Sequence, residues 1–219
     1  MGVIFVDANM KWHAETIGKK VVAALNANHF KAVYAADKKE ALDRALALIE
    51  GAGTVACAGS MTRFEIGLTN DVLSGTGADF INWNAPGLSA EEQLRLRRKG
   101  LTVDVLISSS NAVTLDGELV NVDGIGNRVA ALAFGPKRVV VIVGVNKVVP
   151  DLETAMKRLR TIASPVNNKR LERPNPCTKT GICMDCSGPT RICNVTSITH
   201  KCPSATDMHV IVVGEELGY

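Results

Sequence analysis

The chain has 219 residues, 46% hydrophobic and 21% charged, and 25 Lys plus Arg against 22 Asp plus Glu give a formal charge of +3. That balance suits one globular domain, 1–219, with a sizeable core, and so small an excess argues against a dedicated nucleic-acid or membrane-surface binder. No apolar run approaches the roughly 18 residues needed to cross a bilayer, and Met1–Lys11 lacks the charged start and long apolar stretch of a leader, so a cytoplasmic location is expected.

In chain order, Lys11–Asn28 places Ile17, Val21, Val22 and Leu25 at helical spacing, and Lys31–Ala36 reads as a short strand. Asp37 with Glu40 three residues on forms a capping-box-like start to a helix whose apolar face is Ala41, Leu42, Ala45, Leu46 and Ile49. Thr54–Ala58 is a buried-strand pattern, Arg63–Leu73 a helix, Asp79–Asn82 a strand and Ala90–Lys99 a helix. Val103–Ile107 is a β-branched strand that opens into Ser108–Asn111. In Val113–Val120, Asp116-Gly117 suits a two-residue hairpin turn. Asn127–Phe134 reads as a short helix, Arg138–Val143 as a strand, and Asp151 as the cap of a helix through about Thr161. From Ser164 the pattern fails until the strand Met208–Val213. Helices alternating with apolar strands predict an α/β fold, a mainly parallel sheet flanked by helices, with a cysteine-rich insert before the last strand.

That insert, residues 169–202, holds five of the six cysteines. Between Lys169 and Lys201 it also carries six basic residues and two acidic ones, a local +4 that leaves −1 for the rest. The spacing is Cys177-x5-Cys183-x2-Cys186-x6-Cys193-x8-Cys202. An x2 pair can bring two thiolates onto one metal, flanking cysteines can complete a four-sulfur set, and nearby cations offset its negative charge. The expectation is an iron–sulfur cluster, most simply 4Fe–4S, or a zinc ion. Disulfides and separate reduced thiols are the other readings, and five cysteines exceed four ligands by one. His200 is a further candidate ligand, and Cys57 reads as a small core residue.

A second constellation is Gly59–Gly67, which follows a buried strand and opens a helix. Ser60 and Thr62 hydroxyls, free N–H groups at the helix start and the Arg63 guanidinium suit an anion, with Glu65 one turn further in. Ligands of open α/β sheets gather beyond the carboxyl ends of the strands, where Asn111, Asn121, Asp123, Asn127, Arg128 and Lys147 should also arrive. Glu65 or Asp123 would act as general base and Lys147 would stabilise developing enolate charge. The same residues also read as ordinary caps, turns and solvated surface. The chain has no Walker A loop, no Gly-x-Gly-x-x-Gly and no Gly-x-Ser-x-Gly. The basic run Arg95–Lys99 reads as a solvated helix face.

Gly59–Gly67, Ser109–Arg128 and Arg138–Lys147 together resemble the lactate-utilisation (LUD) domain family. Thr180-Gly-Ile-Cys-Met-Asp-Cys186 with Arg191-Ile-Cys193 resembles the cysteine stretch of its short, free-standing members. The resemblance implies a fold like that of ribose-5-phosphate isomerase and the CoA transferases, with the active site on the sheet edge carrying Ser60, Thr62, Glu65, Asn121, Asp123, Asn127 and Lys147. It also implies a part in oxidising L-lactate to pyruvate beside an iron–sulfur partner subunit, although this chain carries cysteines of its own. Three functions follow: an oxidation component with a small anionic metabolite as substrate; a redox-inert isomerase or transferase on a phosphorylated sugar or CoA thioester, with structural zinc; and a metabolite-binding redox or metal sensor. Other lactate-oxidation subunits are the expected partners, no nucleic acid or membrane is, and homo-oligomerisation is open.

Overall fold

A computed structural model describes residues 7–219, so the first six positions of the Met1–Lys11 stretch lie outside the described residues. Helix α1 (Ala8–Ala27) buries Val21 and Leu25 and leads into β1 (Lys31–Ala35). The Asp37 box closes as expected, the Asp37 carboxylate accepting the Glu40 N–H at 2.9 Å and Glu40 accepting that of Ala36 at 2.8 Å, and α2 (Lys38–Ile49) follows. After β2 (Thr54–Cys57) the expected single helix divides into α3 (Met61–Glu65) and α4 (Asn70–Ser74). The Thr69 hydroxyl caps the second, and the Arg63 guanidinium bonds the Leu68 carbonyl at 2.8 Å in the turn between them.

Next come β3 (Asp79–Ile81), α5 (Ala90–Lys99) with a full Ser89–Glu92 capping box, and β4 (Val105–Ser108). Strands β5 (Ala112–Thr114) and β6 (Leu119–Asp123) form the hairpin, but through a three-residue loop. The Gly117 N–H donates to Thr114 at 2.9 Å, and only Gly117 of the Asp116-Gly117 pair takes positive φ, at 80°; a two-residue turn would put both there. Helix α6 (Asn127–Ala133), β7 (Arg138–Gly144), β8 (Val148–Val149) and α7 (Leu152–Arg158) follow.

Beyond Arg158 the structure corrects the sequence reading. The chain stays helical through a π-turn at Leu159–Ala163 into α8 (Ser164–Arg170), and Pro165, which has no N–H to give to the turn before it, follows directly on that π-turn. The cysteine-rich stretch 169–202 therefore begins inside α8. It continues through α9 (Cys177–Thr180) and β9 (Val195–Thr199), and β10 (Asp207–Val213) closes the order.

One sheet runs β1-β10-β7-β4-β2-β3, every pair parallel. Its centre, β7, explains the valine–isoleucine run. Val139, Val141 and Val143 enter the core under α1, while Val140 and Ile142 enter the core on the opposite face, which takes in α2. The second sheet, β8-β5-β6-β9, is mixed and packs Ala112, Val120 and Val149 on Ala155 and Leu159. The mainly parallel, helix-flanked sheet is borne out. Among the described residues no helix is long and apolar enough to cross a membrane.

Candidate functional site

Because the strands of the main sheet are parallel, β2, β4, β7 and β10 release their following loops at one edge. These bring Gly59–Ser60, Ser109–Asn111, Asn146–Lys147 and the tail Gly214–Tyr219 together. Three were expected from sequence; the tail was not, because nothing in Glu215–Tyr219 signals a ligand.

Lys147 lies deepest, its residue 2% exposed. Its ammonium donates to Thr62 Oγ1 at 2.8 Å and Ser109 Oγ at 3.0 Å, and among the described residues no carboxylate lies within ion-pair distance. Burial, then the charge of Arg158, lowers its pKa to about 7; Glu65 opposes this and Arg128 adds to it. Arg158, a buried residue not anticipated from sequence, is held by the carbonyls of Asn111 at 2.6 Å and Asn146 at 3.3 Å.

The tail closes beside this amine. Asn146 accepts the Leu217 N–H at 3.0 Å and donates to the Gly218 carbonyl at 3.2 Å, and Glu65 Oε2 accepts the Gly218 N–H at 2.8 Å. The Tyr219 hydroxyl is buried beside the Arg170 guanidinium, and Tyr219 lines the adjoining cleft.

Several expected ligand residues turn out to be engaged by the protein itself. Asp123 accepts the N–H groups of Ile125, Gly126, Arg128 and Val129 at 3.1–3.4 Å, which shapes the loop into α6. Arg128 donates to the Asn111 and Asn121 side chains and to the Ser109 and Val122 carbonyls, with Asp123 at 3.7 Å. Burial lowers its pKa. Arg63, also buried, spends its two terminal nitrogens on Leu68 and Asn70 and stacks on Phe64, while its Nε has no hydrogen-bond partner among the described residues. Ser60 and Asn127 line the cleft, and Thr62 is fully buried against Lys147.

The cleft measures about 940 Å³. Around it stand the inner cations Lys147, Arg63 and Arg128 and the more exposed Arg97, Arg170, Arg173 and Arg191; Asp123 is the one acidic residue in its lining. The four outer arginines were not foreseen. Arg97 comes from the run read as solvated, and the other three from the stretch read as irregular. The signal for those three was the local +4 of the cysteine-rich stretch. Part of that stretch, Pro189–Asn194 apart from Cys193, walls the cleft. It is tied to α8 by Asn175, whose amide donates to Asn168 at 2.6 Å and to the Thr190 carbonyl at 2.9 Å.

All six cysteines are free thiols. Cys57 is buried as expected, its thiol pushed up to about 12 by desolvation. Burial, then the neighbouring Cys193, Cys186 and Cys183, raise the pKa of Cys177. Cys202 lies elsewhere: it packs on the main core, its N–H donates to Asn28 at 2.9 Å, and Asp207 and Lys31 are the charges that act on it. His200 pairs with Glu118 at 2.6 Å. Among the described residues, no three His, Cys, Asp or Glu side chains converge as a set able to hold a metal ion.

The LUD domain family model matches residues 18–213. No curated protein matches the chain. Among solved structures it is similar to a DUF162 family protein from Deinococcus radiodurans, at 15% identity and a TM-score of 0.47, over 91% of this chain and 98% of that one.

Proposed function

The chain belongs to the LUD domain family, the lactate-utilisation group, and from that premise we propose that it binds a small organic-acid anion in the Lys147 cleft and takes part in oxidising L-lactate or a similar acid in the cytoplasm. One observation carries the binding: the cleft is lined by seven cations and a single carboxylate, Asp123, which already accepts from four backbone N–H groups. The substrate carboxylate then meets the Lys147 ammonium, whose present partners are neutral hydroxyls. Glu65 is the candidate general base, its carboxylate accepting the Gly218 N–H of the tail that closes beside Lys147, and Asp123 and Arg128 are positioning residues.

The cysteine-rich wall is the candidate holder of an iron–sulfur cluster or a zinc ion, and its thiols are soft donors suited to either. A bound cluster supplies one-electron transfer; other lactate-oxidation subunits are the proposed partners. A redox-inert reading, isomerase or transferase chemistry on a phosphorylated sugar or CoA thioester with structural zinc, is favoured by one feature. A cleft of about 940 Å³ with outlying arginines exceeds the needs of a three-carbon acid.

Calorimetric titration with L-lactate and pyruvate, then with a sugar phosphate and CoA, separates the two. Saturable binding of lactate or pyruvate that is lost in Lys147→Met supports the oxidation reading. Binding of the phosphorylated compounds alone overturns it.

A further inference from the structure

The proposed reading places one acid group at Lys147 and leaves most of the cleft unassigned. Resting on that reading, we propose that the ligand is a short hydroxy or oxo acid carrying a second oxyanion, carboxylate or phosphate, which Arg170 and Arg173 bind at the outer rim of the cleft.

The inner end suits a single anionic group. Lys147 is buried, and an ammonium has three N–H donors, of which Thr62 and Ser109 already take two. Arg63 and Arg128 also line the cleft, but their terminal nitrogens are spent on protein oxygens. A cleft of about 940 Å³ therefore extends well past the position where the carboxylate of lactate would sit.

The outer end is a built structure. Helix α8 ends in a paired turn, the Glu172 N–H donating to the Lys169 carbonyl at 3.1 Å and the Arg173 N–H to that of Asn168 at 3.0 Å. Glu172 takes φ 52° there, a left-handed position that normally falls to glycine. The turn returns Arg173 to the cleft, whereas Glu172 takes no part in the lining. Buried Asn168 and Asn175 lock this turn to the Pro189–Asn194 wall. Asn175 donates to Asn168 at 2.6 Å and accepts from the Thr190 hydroxyl at 2.7 Å.

Donors at this end are largely unspent. A guanidinium has five N–H groups. Arg170 turns its Nε and one terminal nitrogen to Asn167 Oδ1, at 3.1 and 2.7 Å, and lies beside Tyr219. Among the described residues the Arg173 side chain makes no hydrogen bond or ion pair, and Asp123, the single carboxylate of the lining, is taken up by backbone N–H groups. Cations gathered without counter-charge repel, and a bound oxyanion relieves that repulsion through the arginine fork.

One small ligand can reach both ends. Arg170 Nη2 lies 4.0 Å from where a Gly59 Cβ would stand, and Lys147 bonds Thr62. Gly59 and Thr62 are three residues apart, a step of at most about 11 Å.

The test is calorimetric titration of the full-length protein, at fixed ionic strength, with L-lactate, L-malate and 3-phosphoglycerate. It is repeated for the double variant Arg170→Gln with Arg173→Gln, for Lys147→Met, and for Lys169→Gln, which removes an exposed cation of α8 outside the cleft lining. Circular dichroism and gel filtration check each fold. Wild type should bind malate or 3-phosphoglycerate at least about tenfold more tightly than lactate. A gain for 3-phosphoglycerate alone identifies the outer group as phosphate, and a gain for malate shows that a carboxylate suffices. The double variant should lose the gain while lactate weakens no more than about threefold, and Lys169→Gln should match wild type. If the double variant misfolds, Arg173→Gln alone should lose at least about threefold of the gain. Equal affinity for all three acids in wild type, lost in Lys147→Met, overturns the outer subsite alone. Equal loss in Lys169→Gln and the double variant overturns the assignment to Arg170 and Arg173. Unweakened binding in Lys147→Met, or no binding of any of the three acids, overturns the underlying reading of the cleft as well.

Discussion

The Lys147 ammonium donates to the Thr62 hydroxyl at 2.8 Å, across 85 residues of sequence, in a site where Arg158 and Arg128 are nearby cations. A buried amine held by neutral oxygens is poised to gain from a ligand's negative charge. Its pKa of about 7 follows from burial first and Arg158 second, and a carboxylate beside it would raise that value. Binding above neutrality should therefore take up a proton. Affinity for a carboxylate ligand is expected to be flat below about pH 6 and to fall by about tenfold per pH unit above 7. Calorimetry in buffers of different ionisation heat reads the uptake directly. The groups facing the amine are Glu65, Arg158 and Arg128, and the arginines do not titrate in this range. Binding without proton uptake at pH 8 would remove Lys147 as the anion's partner.

The same burial has a consequence for stability. The folded-state pKa of Lys147 lies at about 7, below its ordinary 10.5. Between those values the unfolded chain binds the extra proton, so this group's contribution to stability rises with pH in that window and its cost is fully present below about pH 7. Urea unfolding should show wild type gaining on Lys147→Met between pH 7 and pH 9, by up to about 1 kcal/mol per pH unit. Parallel pH profiles for the two proteins would show that the amine is charged and well accommodated in the fold.

Arg128 illustrates a sequence-expected site residue with a structural duty. Its guanidinium ties Asn111, Asn121 and the Ser109 and Val122 carbonyls into one network beneath the cleft. Arg128→Met strips buried acceptors of their donor and should cost about 3–5 kcal/mol in urea unfolding. Arg128→Lys should recover less than half, since one ammonium cannot span that fork. A loss under 1 kcal/mol in Arg128→Met would mean the network is dispensable for folding.

What was legible in the sequence follows from where the signal is local. The unbroken apolar run of β7, the Asp37 and Asp151 caps and the Ser108–Asn111 strand exit are written within a few residues, and the sheet edge they imply is the observed one. Helix α8 was missed because Ser164-Pro165 reads as a stop, whereas the chain runs on helically through the π-turn at Leu159–Ala163 that precedes the proline. Strand β9 was missed because Val195–Thr199 is mostly polar and exposed, an edge strand defined by its pairing with β6. The outer arginines and the tail depend on contacts between distant segments, which no short window contains.

The tail supplies the last prediction. The Gly218 N–H reaches Glu65 over 153 residues, at a φ of 57° that favours glycine. A Cβ there would stand 2.7 Å from Thr62 Oγ1 and 3.3 Å from the Lys147 Nζ, so the backbone passes against the amine with no room for a side chain. In Gly218→Ala the contact with Thr62 and the left-handed strain act together. The substituted tail should lift from Asn146 and Glu65, at a cost of about 1–3 kcal/mol. If the tail shapes the anion site, ligand affinity drops; if it covers the site, affinity rises as Lys147 is uncovered. The position of Tyr219 in the cleft lining, next to Arg170, favours shaping, and the expected outcome is at least a tenfold weaker lactate or pyruvate titration. Hydrogen exchange of the Leu217 and Gly218 amides should accelerate in the same variant, whereas the amides of β7 should stay protected. Unchanged exchange at Leu217 would show that the tail tolerates the methyl group and is not held by the contacts described.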